Sequence, residues 1–254
     1  MTNGVAGVVL AAGVGTRLRP LTRLRPKALC PIDGVPLVDL AIERTRSAVD
    51  DVAVNAHHEL AAMEAHLRDD GPASGAVHLS VEADRPLGTA GALGHVRGWL
   101  DGRAALVVNA DAWCPGSLAS FVESWDGGQV RILVAGGDTL TPTSRVAATL
   151  LPWSTIAPLA PEPSGLYEVV WAQAQAEGRL GVVRHDGPFI DCGTPAHYLA
   201  ANLAASGGES VVGAGAMVAG AIDRCVVWPG AVVWPHESLT CTIRATEHMS
   251  VLVR

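Results

Sequence analysis

Val5-Ala-Gly-Val-Val-Leu-Ala-Ala-Gly-Val-Gly-Thr-Arg-Leu-Arg-Pro20 starts as an unbroken apolar run and breaks into a turn rich in glycine and arginine. A short apolar run bounded by glycines reads as a strand buried on both faces, as in a parallel sheet. Gly13 and Gly15 let the backbone turn sharply and bring its amides close to an anion with no side chain between. Open α/β sheets bind ligands beyond the carboxyl end of such a strand. Arg17 can bridge two phosphate oxygens with its planar fork. The segment predicts a strand over 5–12, then a loop over 13–31 suited to phosphate.

Further along, strand-like and helix-like stretches alternate. Apolar residues fall at helical spacing over 37–49 (Leu37, Leu40, Ala41, Ile42, Ala48) and over 59–68 (Leu60, Met63, Leu67). Further helices are expected over 89–100, 117–125, 166–177 and 195–205. Strands are expected over 51–55, 77–81, 104–109 and 130–135, with strand-like pieces up to 190. The proline-rich stretch 151–164 reads as irregular. This alternation means βαβ units, and so an α/β fold with a mixed, mainly parallel sheet and helices on both faces.

The last fifty residues change character. Val227, Val233 and Leu239 lie six apart, as do Val212 and Val218. A six-residue step with small turn residues is the mark of a left-handed parallel β-helix, with a plain β-hairpin as the alternative. The chain therefore reads as one domain over 1–206 and a short hexapeptide-repeat tail over 207–254. Trp228 and Trp234 are expected to be exposed there, as packing or homodimer contacts. Removing the tail is expected to change assembly or stability more than chemistry.

The 254 residues carry a formal net charge of −7, which disfavours nucleic acid or a membrane surface as partner. No apolar run is long enough to span a bilayer, and residues 1–4 do not read as a leader. The five cysteines are scattered with no C-x-x-C pair, so neither a zinc site nor a disulfide framework is suggested. A soluble, reduced, cytoplasmic protein is expected. An acidic chain that handles phosphates needs local cations or metal ions. Lys27 is the only lysine, against 17 arginines, which suggests a site needing a compact ammonium rather than a planar fork.

Leu18 occupies the third-glycine position of the dinucleotide fingerprint, and the G-x-x-x-x-G-K phosphate loop is absent, so a nicotinamide-dependent enzyme is disfavoured. Leu10-Ala-Ala-Gly-Val-Gly-Thr-Arg-Leu-Arg-Pro-Leu-Thr22, followed by Pro26-Lys-Ala-Leu-Cys-Pro31, resembles the signature of the nucleotide-sugar pyrophosphorylases. Three later segments are similar to that family as well: Glu82-Ala-Asp-Arg-Pro-Leu-Gly-Thr-Ala-Gly-Ala-Leu93, Val107-Val-Asn-Ala-Asp111 and Phe189-Ile-Asp-Cys-Gly-Thr-Pro195.

The resemblance implies a Rossmann-like GT-A fold and a sugar-1-phosphate nucleotidyltransferase that takes a nucleoside triphosphate and a sugar 1-phosphate with Mg2+. It implies that Asp111 and Asp191 hold the metal and that Arg17 and Lys27 are the catalytic cations. It implies nucleotide contacts from Ala11, Ala12, Gly13, Gly15, Thr16, Glu82, Gly88 and Thr89, with Glu82 placed to accept from guanine N–H groups. Asn55, Asn109 and Arg145 are candidate sugar contacts. His57 and His58 follow a strand end, where one could face the sugar or both could be solvated. On a plainer reading, Asp111 is a strand-end turn residue and Asp191 a helix cap.

The sequence also departs from many relatives. They carry a mid-chain Glu-Lys pair, whereas the region between Gly136 and Pro152 is short and has no lysine. The segment at 86–93 and the tail point to GTP and a mannose-1-phosphate-like sugar. The alternative is uridylyl transfer to an amino-sugar phosphate such as N-acetylmuramate 1-phosphate, as in compact relatives. A non-catalytic nucleotide-sugar-sensing subunit is a third reading, opposed by the intact Arg17, Lys27, Asp111 and Asp191.

Overall fold

The computed structural model describes residues 4–68 and 77–253. Residues 1–3, on which the expected lack of a leader partly rests, lie outside the described residues. The chain divides into two units, one made of Met1–Gly13, Val38–Ala110 and Cys114–Phe189, the other of Val14–Leu37, Asp111–Trp113 and Ile190–Arg254.

The first unit is built on a seven-stranded sheet. Its strands are β1 (Val5–Leu10), β2 (Val52–Ala56), β3 (Val77–Val81), β4 (Ala104–Asn109), β5 (Val130–Ala135), β6 (Val146–Leu151) and β7 (Leu180–His185). They lie in the order β7-β5-β6-β4-β1-β2-β3. Neighbours run parallel except β6, which is antiparallel to both β4 and β5. The helices include α1 (Leu37–Arg46), α2 (Leu60–Arg68) and α3 (Gly88–Leu100).

Alternation along β1 explains the layers, because successive side chains point to opposite faces. Ala6, Val8 and Leu10 enter one core with Ala90, Leu93, Val96 and Leu100 of α3. Gly7 faces the other way, where an added Cβ would meet Val49 at 3.2 Å, just past the end of α1. Both faces of the sheet are therefore covered. Truncating a core residue such as Leu93 to alanine would cost about 2–5 kcal/mol.

Strand β6 was not expected from sequence. Its Ala147-Ala148-Thr149 centre is a weak strand signal, and Pro152 follows at once. Pairing on both edges and burial of nearly every residue order it. The stretch between Gly136 and Pro152 thus leads into a central sheet strand. The helix expected over 166–177 is present, its first part Tyr167–Trp171 wound as a π-helix and its second part Ala172–Ala176 as an α-helix. No helix among the described residues is long and apolar enough to cross a membrane.

In the second unit, Ala112–Trp113 pairs antiparallel with Ile190–Asp191. The helix Pro195–Ala205 follows, with Pro195 in its first turn and the Thr194 hydroxyl accepting from the His197 amide at 3.3 Å, a normal N-terminal cap. Beyond it the chain winds through short parallel pairs. Val211–Val212 pairs with Val226–Val227 and that with Ile243 and Arg244; Met217–Val218 pairs with Val232–Val233; Ala221–Asp223 pairs with Ser238–Thr240. Paired residues are 15 or 17 apart, so the six-residue step carries the chain from one ladder to the next.

The expectation that Trp228 is exposed is overturned. Its side chain is only 1% exposed, whereas Trp234 is 40% exposed. The Trp228 indole donates to the Tyr198 hydroxyl at 3.0 Å, the Tyr198 hydroxyl donates to the Pro31 carbonyl, and the Arg25 guanidinium lies 4.3 Å from the centre of the indole. A buried indole N–H needs such an acceptor, and the helix Pro195–Ala205 supplies it.

Candidate active site

In the second unit, four charged residues far apart in sequence come together. The two-residue bridge sets Asp191 opposite Ala112, and the Cys192 amide donates to the Asp111 carbonyl at 2.9 Å. Asp111 and Asp191 are thereby brought into one neighbourhood. Lys27 starts a single 3-10 turn behind Pro26, and its ammonium donates to Asp111 Oδ2 at 2.9 Å. It lies 3.9 Å from Asp191 Oδ1, beyond hydrogen-bond reach. Arg17 Nη2 is 3.7 Å from Asp191 Oδ2. The Lys27 side chain is 7% exposed and that of Arg17 69%, so the ammonium is held in place and the guanidinium stands free to reach a ligand.

Two glycines make this crowding feasible. Gly15 adopts φ +66, and an added Cβ would lie 2.9 Å from Lys27 Cβ. Its carbonyl accepts from the Thr22 hydroxyl at 3.0 Å, while the exposed Thr16 opens the 3-10 turn that carries Arg17. At Gly193 a Cβ would lie 2.8 Å from Arg17 Nη2 and 2.9 Å from Asp191 Oδ1. Gly193 was not singled out from sequence, although its place two residues after Asp191 was the available signal.

The arrangement fits a divalent cation. Asp191 Oδ1 is buried and accepts no hydrogen bond from the described residues, a costly state for a carboxylate oxygen unless a cation meets it. Magnesium takes oxygen ligands and keeps several waters, so two carboxylates suffice. Among the described residues no group of three or more His, Cys, Asp or Glu side chains forms a metal cage. Cys30 and Cys192 are not nucleophile candidates: burial pushes each thiol up to about 12.

In the first unit, Asn55 and Asn109 flank Leu10 on the two neighbours of β1, and Ala11, Ala12 and Gly13 follow as the strand ends. Asn55 is 4% exposed and Glu82 2%. Asn55 Oδ1 accepts from the Ala11 amide at 2.7 Å, and its Nδ2 donates to Glu82 Oε1 at 2.6 Å. Glu82 Oε2 accepts from the Leu87 amide at 2.8 Å. The expected contacts of Asn55 with sugar and of Glu82 with guanine therefore meet a different geometry, since both side chains are buried and engaged with each other and with backbone. Asn109 is half-buried, and Arg145 is exposed at the start of β6. The His57 ring donates from Nδ1 to the Glu82 carbonyl at 2.7 Å, and His58 is exposed.

Gly88 begins α3 at φ +70, and an added Cβ would lie 2.5 Å from the Ser164 carbonyl. The Ala90 amide donates to that carbonyl and the Ser164 amide to Leu87, each at 3.0 Å. The Thr89 hydroxyl accepts from the Leu166 amide at 2.8 Å. Thr89 thus holds the 164–166 segment, while Gly88 remains exposed at the helix start, where amides favour an anion.

The family model described as nucleotidyl transferase matches residues 6–142. The chain is 30% identical over 227 residues to the N-acetylmuramate alpha-1-phosphate uridylyltransferase of Caulobacter vibrioides, covering 76% of this chain and 94% of that protein. It is 36% identical over 123 residues to the mannose-1-phosphate guanylyltransferase of Mycobacterium tuberculosis, covering 48% of this chain but only 34% of that protein. The match thus spans about a third of the second relative's length. Among solved structures, the fold is similar to that of a UDP-glucose pyrophosphorylase from Acinetobacter baumanii, with a TM-score of 0.66 at 17% identity over 78% of this chain and 92% of that one.

Proposed function

This chain belongs to the nucleotidyl transferase family, and on that premise we propose that it joins a nucleoside triphosphate to a sugar 1-phosphate, giving a nucleoside-diphosphate sugar and pyrophosphate. The observation that carries the reading is the convergence of Arg17, Lys27, Asp111 and Asp191 around a buried carboxylate oxygen with no hydrogen-bond partner among the described residues.

A phosphate oxygen of the sugar 1-phosphate attacks the α-phosphorus in line. The bond from that phosphorus to the bridging oxygen breaks, and its electron pair leaves with pyrophosphate. The protein's task is to position two anions and to offset the charge that develops on the leaving group. Lys27, held by Asp111, offers its remaining N–H bonds to phosphate oxygens, and the exposed Arg17 takes the leaving pyrophosphate in its fork. Magnesium held by Asp111 and Asp191 would supply further charge neutralisation when bound. The backbone at Ala11, Ala12, Gly13, Gly15 and Thr16 and at Gly88 and Thr89 takes the nucleotide. Asn109 and Arg145 are the sugar-side candidates.

GTP with a mannose-1-phosphate-like sugar is the first choice, from the segment at 86–93 and the tail. A second reading, UTP with N-acetylmuramate 1-phosphate, is supported by the relative matched over 94% of its length. A cytoplasmic location is proposed along with this reading. The parallel ladders beyond Ser206 support a β-helix-like tail, for which the left-handed hand is taken from the six-residue step of the sequence, and the exposed Val212, Met217, Trp234 and Leu252 support homodimer contact through that tail. The test is pyrophosphate release over four nucleoside triphosphates and several sugar 1-phosphates with magnesium. One pair is expected to exceed the rest, and silence across the matrix would refute the transferase reading.

A further inference from the structure

We infer that Asn55 and Glu82 form a buried positioning pair that ties the loop after β1 to the start of α3 and so presets both backbone segments for the nucleotide; the inference rests on the transferase reading above.

The polarity of the chain of bonds is forced. The Ala11 amide can only donate, so Asn55 must turn its carbonyl oxygen toward it. That leaves the Asn55 amide to donate to Glu82 Oε1, and Glu82 Oε2 to accept from the Leu87 amide. A carboxylate is acceptor-only, and here each oxygen faces a donor. The two ends of the chain are backbone amides. Ala11 precedes the Gly13–Gly15 turn, and Leu87 precedes Gly88 at the start of α3. The same carboxylate residue is anchored by its own backbone, since the Glu82 amide donates to the Ala56 carbonyl at 2.9 Å and its carbonyl accepts from His57. A shift of Glu82 would therefore move the two segments relative to each other. Because both side chains are buried, the pair acts through those segments and not by touching the base.

The bond polarity supplies a stringent test. Glu82→Gln puts an amide donor against either the Asn55 amide or the Leu87 amide. Asn55→Asp sets two acceptors of like charge face to face. Either change leaves buried groups unsatisfied. The double variant, Asn55→Asp with Glu82→Gln, restores every bond. The new carboxylate at position 55 accepts from the Ala11 amide and from the new side-chain amide at position 82, whose carbonyl oxygen accepts from the Leu87 amide. Shape and net charge are kept, with the charge moved from one member of the pair to the other.

The readout is the dissociation constant of GTP and of UTP, each with magnesium, measured by calorimetry on both single variants and the double. Pyrophosphate release by the wild type, run alongside, scores the transferase reading separately. Each single variant is expected to weaken binding of the preferred nucleotide by roughly 10-fold or more, and the double to return to within about 3-fold of wild type. A double variant no better than the combined singles would overturn the inference. So would single variants that lower the melting temperature but bind nucleotide as the wild type does, because the pair would then only brace the fold.

Discussion

Lys27 donates to Asp111 Oδ2 across 2.9 Å although 84 residues separate them, and the lysine side chain is almost wholly buried. The only lysine of the chain is thus packed against a carboxylate and lies 3.9 Å from a second. Its side chain is 7% exposed, so a bulkier head group has little room to rearrange.

Lys27→Arg should therefore be severely damaging despite keeping the charge. A guanidinium is larger, planar and fixed in its donor directions, whereas an ammonium can follow a phosphoryl group through displacement. A loss of roughly 100-fold in kcat/KM is expected, equal to about 2.7 kcal/mol of transition-state stabilisation. Steady-state kinetics on the purified variant check it, and near wild-type kcat/KM would leave Lys27 without a special role.

Asp111→Asn and Asp191→Asn should each abolish turnover and leave the circular dichroism spectrum unchanged. Both side chains reach solvent at the edge of their bridge, and among the described residues one Asp191 oxygen has no hydrogen bond to lose. A chelator should silence the wild type, and added magnesium should restore it. Full activity in chelator with no metal returned would refute a metal held by these carboxylates.

Gly193→Ala tests the crowding directly. The new methyl group would sit 2.8 Å from Arg17 and 2.9 Å from Asp191. Arg17 can swing away into solvent, but Asp191 is tied into the bridge, so the carboxylate must shift. A fall in kcat/KM of roughly 10-fold is expected, about 1.4 kcal/mol, with little change in melting temperature. Unchanged kinetics would mean that the placement of Asp191 is not critical to the ångström.

Trp228→Ala should destabilise by about 3–5 kcal/mol, the usual cost of emptying a buried aromatic site. Since the indole packs through Tyr198 and Arg25 on the segment that bears Lys27, turnover should fall as well. Removing everything after Ser206 should have the same double effect, beyond the change in assembly or stability expected from sequence. Thermal unfolding and pyrophosphate release check both variants, and a truncated protein with wild-type values for each would show the tail to be dispensable.

Much of the first unit was legible in the sequence because apolar periodicity survives folding. Its strands over 77–81, 104–109 and 130–135 lie where periodicity puts them, as does the helix over 195–205 in the second unit. Strand β6 was not legible, because its small central residues become a strand only through partners on both sides. The charged residues were named from motif strings, and the structure brings Arg17, Lys27, Asp111 and Asp191 together. What the strings could not reveal was pairing. The Asn55–Glu82 bond depends on β2 and β3 lying side by side, and the burial of Trp228 depends on a tyrosine thirty residues earlier.

The most direct test of nucleotidyl transfer follows oxygen atoms. The sugar 1-phosphate is supplied with its three terminal phosphate oxygens labelled with oxygen-18, together with unlabelled nucleoside triphosphate and magnesium, and the products are weighed by mass spectrometry. Attack by a sugar-phosphate oxygen on the α-phosphorus predicts a nucleoside-diphosphate sugar that keeps all three labels and pyrophosphate that carries none. Labelled pyrophosphate, or nucleotide consumed with no nucleoside-diphosphate sugar formed, would contradict the account.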